Sequence, residues 1–204
     1  MLDEKNTLEN IRRAGMKEFL NKGFYHASLR NIVKDAGVTT GAFYGYFSSK
    51  EALFAALVEE HAATVMACFV KAQESFEKIP KEEQAENMTN ITAPCVEEMI
   101  DYIYDNYDYF KLLICCADGT AYEDFVHNMV EIEVESTYRF IDVLRETGKE
   151  VPDIDKGLCH ILCSGMFGGM FEMIVHDMPK ENVKRYVKQL MEFHHAGWEK
   201  IMGL

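Results

Sequence analysis

The tripeptide Ala36-Gly37-Val38 restricts this chain more than any other feature. It separates two short segments, 28–36 and 39–46, whose apolar residues recur at helical spacing. Glycine at the joint permits a sharp reversal, and Val38, Ile32 and Phe43 supply a small core that locks the two helices at an angle. Ser28 stands where the first helix needs an N-cap, and Thr39 or Thr40 where the second does. The second helix then turns mostly hydroxyls and backbone N–H groups outward. Those are the partners that phosphates and base edges find on a helix lying in a major groove. The arrangement is a helix-turn-helix.

The flanking sequence supplies its brace. Leu8, Ile11, Gly15 and Phe19, with Met16 and Leu20 beside them, follow one face of a first helix that stops at Asn21-Lys22-Gly23. Ser48 or Ser49 caps a fourth helix running to about Lys78, with Glu51 in its first turn and Leu53, Phe54, Leu57, Val58, Val65, Met66, Phe69 and Phe76 on its apolar side. Pro80 ends it, and the polar stretch 81–93 reads as loop. Further helices are expected over 94–106, 107–117, 120–148, 154–177 and 180–202. No period-two pattern, repeat or low-complexity tract is present, and only 4 prolines interrupt 204 residues. The chain reads as all-α with about nine helices. Residues 1–48 form an N-terminal three-helix domain, and 49–204 a larger helical domain.

Charge divides the same way. The net charge is −13, yet residues 1–50 hold eight Lys or Arg against five acids, a net of +3, so the remainder carries −16. A basic head on an acidic body approaches a polyanion by one end only. Polar residues open the chain, with no signal segment, and its six cysteines lie mostly in apolar helical stretches. Both features fit a cytoplasmic protein with reduced thiols.

Residues 28–53 also carry a resemblance. Ser28, Ile32-Val33 and the run Ala36-Gly37-Val38-Thr39-Thr40-Gly41-Ala42-Phe43-Tyr44-Gly45-Tyr46-Phe47-Ser48-Ser49-Lys50-Glu51-Ala52-Leu53 closely resemble the tetracycline-repressor (TetR) family of bacterial regulators. Ile11, Ala14, Phe19, Gly23 and Phe24 match as well, so the likeness covers about residues 8–57. It implies that Ser28, Thr39, Tyr44, Tyr46 and Lys50 touch phosphates, and that Thr40, Gly41 and Gly45 face base edges. Two departures stand out. Tyr46 replaces the commoner histidine, and Gly45 removes a side chain that often reads bases, which shifts recognition toward Thr40, Arg30 and DNA shape. The resemblance further implies a repressor released from a palindromic operator in double-stranded DNA by a small-molecule effector, working as a homodimer in the bacterial cytoplasm. Two subunits place their reading helices roughly 34 Å apart, one duplex turn.

The body offers a dimer face and a sensor. Residues 157–175 contain no Lys or Arg and one carboxylate, Glu172. Length alone suggests a membrane span, but the interior glycines Gly165, Gly168 and Gly169, with His160 and Glu172, argue for a helix buried on two sides, with no membrane partner. Gly165, Gly168 and Gly169, joined by Leu190, Phe193, His194, Gly197 and Trp198 of the last helix, make the expected subunit contact. Met99, Tyr102, Phe110, Cys115, Met129, Glu133, Met166, Met170 and Met173 are the candidate effector-pocket residues, pliable and apolar. An internal carboxylate such as Glu133 or Glu172 favours a cationic or hydrogen-bonding ligand. Cys159, His160 and Cys163, or His194-His195, raise metal sensing; Cys159 and His160 point about 100° apart on a helix, which argues against a closed site. Vicinal Cys115-Cys116 raise redox sensing. A dimerisation module without DNA binding is the remaining alternative. No cofactor and no catalytic residue are expected, since Gly-rich phosphate loops, Gly-x-Ser-x-Gly and His-Glu-x-x-His are all missing from the sequence.

Overall fold

In the computed structural model of this protein the backbone is described for residues 2–204, and side chains for 6–87 and 92–204. Among the described residues every regular element is a helix. In order they are α1 (Leu2–His26), α2 (Leu29–Asp35), α3 (Thr40–Tyr44), α4 (Lys50–Glu77), α5 (Lys81–Asp105), α6 (Tyr107–Cys115), α7 (Phe125–Glu146), α8 (Lys156–Val175) and α9 (Lys180–Met202). The all-α architecture expected from the sequence is what the chain adopts.

Two compact units emerge. The first contains residues through Thr64 together with Asn106–Phe125; the second contains Val65–Asp105 and Val126–Leu204. This partition differs from a division at residues 48 and 49, because the first half of α4 and all of α6 pack against α1. The backbone N–H of Phe24 donates to the Cys116 carbonyl at 2.9 Å, tying α6 to the end of α1. Ile11, Phe19, Ile32, Phe43, Leu53 and Phe110 are fully buried in this unit. Phe54 meets Phe19 and Phe24 edge-on, with ring centroids 5.2 and 5.4 Å apart. Each such side chain removed from water contributes roughly 1.5–3 kcal/mol, which is how a unit of short helices holds together.

The second unit is built from α5, α7, α8, α9 and the later turns of α4. Phe69 packs edge-on against Phe167 at 5.5 Å, and Phe76 against Phe140 at 5.4 Å. Asp101 of α5 accepts from Lys180 and Lys184 of α9 at 3.2 and 2.7 Å. The Tyr104 hydroxyl donates to the Met178 carbonyl at 2.6 Å, which fixes the α8–α9 turn against α5.

The polar stretch 81–93 is helical, against the loop expected there. Glu82 and Glu83 sit in the first turn of α5, where carboxylates suit the positive end of the dipole, and the buried Gln84 amide donates back to the Ile79 carbonyl at 3.0 Å. The helix runs through Pro94, which the sequence suggested as a boundary. At the other end, residues 120–124 form turns instead of opening α7: the Thr120 hydroxyl donates to the Ala117 carbonyl at 2.7 Å and accepts from the Tyr122 N–H at 3.1 Å. α8 begins where Asp155 accepts from the N–H groups of Gly157 and Leu158, at 2.8 and 3.2 Å. By length and composition α4 and α8 are each apolar enough to cross a membrane. Each buries one side in a protein core, Leu53, Leu57 and Val58 on α4 and Cys163, Phe167 and Phe171 on α8.

Candidate nucleic-acid interface

α2 and α3 stand at an angle because Gly37 takes a φ of +69°, a left-handed conformation that other residues adopt at a cost. The Val38 N–H then donates to the Val33 carbonyl at 3.0 Å and closes the turn. Thr39 is the N-cap of α3, its hydroxyl accepting from the Ala42 N–H at 3.1 Å. Phe43 is the anchor: it is fully buried, with Phe47 5.8 Å away, and holds α3 from behind.

The outer side of α3 is free of that core. Thr39, Thr40, Gly41, Tyr44 and Gly45 are exposed, Tyr44 by 53%, and Arg30 of α2 is exposed beside them. Tyr46 and Ser28 are half-buried. Six of the nine residues expected to meet DNA are therefore exposed and two are half-buried. A Cβ placed on Gly41 would have only the Thr39 hydroxyl near it, at 3.9 Å, whereas one on Gly45 would stand 3.2 Å from the Ala42 carbonyl.

Lys50 is the ninth, and its ammonium is occupied. It donates to the carbonyls of Phe24 and Ala27 at 2.7 and 3.1 Å and lies 4.2 Å from the centre of the Phe24 ring. Those carbonyls belong to the end of the first helix and the segment before α2, so Lys50 ties three elements of the unit at one point. Ser28 likewise acts through its backbone: its N–H donates to the Glu18 carboxylate at 3.0 Å, and its hydroxyl makes no capping bond to α2. Glu18 also accepts from the Asn31 amide at 3.0 Å, and Lys17 pairs with Asp35 at 2.9 Å. These two residues of α1 position α2, and no sequence spacing marks them, because their partners lie ten and eighteen residues away.

The candidate sensor residues separate. Phe110 and Cys115 belong to the first unit, where Phe110 packs 6.1 Å from the His61 ring and Cys115 is exposed. Met99, Met129, Met170 and Met173 are buried in the second unit, and Tyr102, Glu133 and Met166 are half-buried there. Glu133 is the group with distinctive chemistry. Burial pushes its carboxyl up to about 6 while the Gln73 amide, donating at 2.6 Å, opposes the shift. An open groove of about 280 Å³ between α8 and α9 is bordered by Met170 and Met173 together with Gly169, Met178, Tyr186 and Leu190. Of the cysteines, Cys116 is buried and its thiol is raised to about 11, which leaves it a poor nucleophile at neutral pH.

The expected subunit contact lies open. Phe193 is exposed by 73% and Ile161 by 66%; Gly165, Gly168, Gly169 and Gly197 are exposed on the same two helices, with Leu190, His194 and Trp198 half-buried.

Comparison with known proteins agrees with this geometry. Residues 11–57 match the family described as bacterial regulatory proteins, tetR family. The chain is 42% identical over 57 residues to the HTH-type transcriptional regulator YdgC of Bacillus subtilis, covering 28% of this chain and 29% of that protein. It is 40% identical over 60 residues to the HTH-type transcriptional repressor NemR of Escherichia coli, covering 29% of this chain and 30% of that one. Each of these relatives is thus matched over less than a third of its own length. Across nearly the whole chain the fold is similar to that of the transcriptional regulator FadR from Bacillus subtilis, solved in complex with stearoyl-CoA (TM-score 0.56, 14% identity, 93% of this chain and 98% of that one). It is also similar to that of NalD, the secondary repressor of the MexAB-OprM multidrug efflux pump in Pseudomonas aeruginosa (TM-score 0.52, 18% identity, 92% and 96%). Residues 11–57 are thus similar to the tetR family of bacterial regulatory proteins, and the chain's overall fold is similar to those of these two solved regulators.

Proposed function

We propose that the protein is a transcription regulator that binds operator DNA through α3 as a homodimer, acts as a repressor, and is released by a small molecule held in its second unit. In this reading residues 1–48 bind DNA, 49–204 bind the effector and dimerise, and no reaction is catalysed. The observation that carries it is the two-sidedness of α3, with Phe43 fully buried behind and Thr40, Gly41, Tyr44 and Gly45 exposed in front. A short helix anchored from one side and bare on the other fits a groove-reading role. The basic balance of residues 1–50 against the acidic remainder supports the same end as the one that meets phosphates.

Repression is the sign favoured by NemR, the repressor matched at the N-terminal end. Dimerisation through α8 and α9 is supported by the exposed Ile161 and Phe193 and by glycines with room for a close neighbour. Glu133, whose carboxyl is raised to about 6 and is therefore still mostly ionised at pH 7, supports an effector that brings a hydrogen-bond donor or a cation. By linkage, operator and effector weaken each other's binding by one factor.

A mobility shift with the DNA upstream of the protein's own gene tests the core of this. The expected result is a complex that weakens steeply with salt, by an amount that follows the number of phosphates neutralised. Binding with no preference over unrelated duplex at any salt concentration would refute sequence-specific regulation.

A further inference from the structure

His127, Glu131 and His160 meet at the rim of the second unit, and none of them serves the interface or the pocket described above. His127 and Glu131 are four residues apart on α7, so they share one face of that helix. α8 brings His160 to the same point. One ligand atom from each of the three lies within 4.8 Å of the others, with His160 Nδ1 3.0 Å from Glu131 Oε1 and the two imidazole centroids 5.7 Å apart. Their backbones are held firmly, since Met129 and Val130 on α7 and Cys159 and Cys163 on α8 are buried within the unit. The ligating atoms themselves remain reachable from solvent.

From this constellation we infer that His127, Glu131 and His160 form a binding site for a borderline divalent transition-metal ion, of the class of Zn2+, Co2+ or Ni2+. Two imidazoles and one carboxylate are the donor set such ions prefer; Mg2+ and Ca2+ prefer all-oxygen shells. In a tetrahedral site with metal–ligand bonds of about 2.0–2.1 Å, ligand atoms stand about 3.3–3.5 Å apart. The His160–Glu131 pair is already near that spacing. His127 closes the remainder by side-chain rotation on an exposed surface. Three protein ligands leave a fourth position for water. Two other histidines sit next to carboxylates, His176 with Glu172 and His195 with Glu199, but each pair offers two donors from a single helix. Only the α7–α8 cluster, among the described residues, joins three donors from two helices. Bound metal clips α7 to α8, so it stabilises the unit by mass action. Cys159 and Cys163, the sulfur ligands that the sequence raised, take no part: both are buried.

Isothermal titration of the untagged full-length protein with Zn2+, Co2+ and Ni2+ tests this, with Co2+ also followed by its visible ligand-field absorption. One ion per chain is expected, with a rise in the melting temperature. His127→Ala, Glu131→Gln and His160→Ala should each weaken binding by at least about tenfold, since even outer-shell partners of a metal are worth that much. His195→Ala should leave the titration unchanged, and circular dichroism will show whether each variant keeps its helices. Absence of binding to the wild type, or affinity unchanged in folded His127→Ala and His160→Ala, overturns the site. Neither result bears on DNA binding, which is read separately by mobility shift.

Discussion

Leu53 fills the space above Gly15: a Cβ on that glycine would come 2.6 Å from Leu53 Cδ2, inside any real contact distance. α1 and α4 approach each other this closely because position 15 has no side chain, and Leu53 is fully buried in return. Gly15→Ala should therefore destabilise the free protein, even though alanine favours a helix interior over glycine by about 1 kcal/mol. Overpacking costs roughly 1–3 kcal/mol, and the net loss expected is about 1 kcal/mol. Chemical denaturation measures it. A gain in stability would mean that Leu53 moves aside freely.

Lys50 offers a different kind of test. Its bonds to the Phe24 and Ala27 carbonyls predict that Lys50→Met loses about 2 kcal/mol of stability in the absence of DNA, as expected for hydrogen bonds from a charged donor. A lysine kept only for phosphate contact would leave the melting temperature of the free protein unchanged.

Tyr44 and Thr40 separate affinity from preference. Tyr44→Phe removes an exposed hydroxyl and should weaken all duplexes about equally, with no change in stability. Thr40→Ala should alter the ranking of sequences, and Arg30→Ala should lower the salt slope by about 1 if it meets a phosphate. Mobility shifts over a salt series, with a randomised duplex pool, read all three.

The pH dependence of stability isolates Glu133. Its carboxyl is raised to about 6 in the fold from an ordinary 4.5, so the folded state binds the proton more tightly than the unfolded one. Its contribution is therefore fully present below about 4.5 and is lost as pH rises through about 6. Glu133→Gln should be more stable than wild type at pH 7, by up to about 2 kcal/mol, and the difference should vanish near pH 4.5. His61 moves oppositely, since burial lowers its ring below the usual value, and it costs stability below pH 6.5. The difference between wild type and Glu133→Gln removes that background. Urea unfolding at matched protein concentration over pH 4.5–7.5 is the measurement, and a pH-independent difference would contradict it.

For the subunit contact, Phe193→Glu places a charge where an aromatic ring is exposed by 73%. Sedimentation should show a dimer for the wild type and a monomer for the variant, both with full helicity. An unchanged mass would move the interface elsewhere.

The head of the molecule was largely readable because its signals are local. Ala36-Gly37-Val38, Thr39 and Phe43 work within ten residues of each other, and the turn and the Thr39 cap are present, whereas Ser28 stands at the start of α2 without a side-chain capping bond. Lys50 was legible as a cation near a helix start, but its partners at Phe24 and Ala27 depend on how the chain folds back. The first half of α5 is hidden in the sequence because polar composition and Pro94 both mimic a break, while its true supports, including the Lys81–Glu146 pair, come from residues far along the chain. Composition alone marks the candidate pocket residues in the sequence. That criterion cannot distinguish a methionine packed in the core, as Met129 is, from one that borders a groove, as Met170 does. A histidine and a glutamate four residues apart on one helix carry no metal motif by themselves, and nothing local announces that His160 arrives opposite His127 and Glu131.

Gly41 leaves a vacancy in the first turn of the displayed helix, where a Cβ would have no neighbour but the Thr39 hydroxyl at 3.9 Å. Any side chain introduced there projects outward without disturbing the packing behind it. If α3 reads DNA as proposed, new target preferences can thus arise one substitution at a time with little strain on the packing behind. The bare position is where this scaffold is most open to being repurposed.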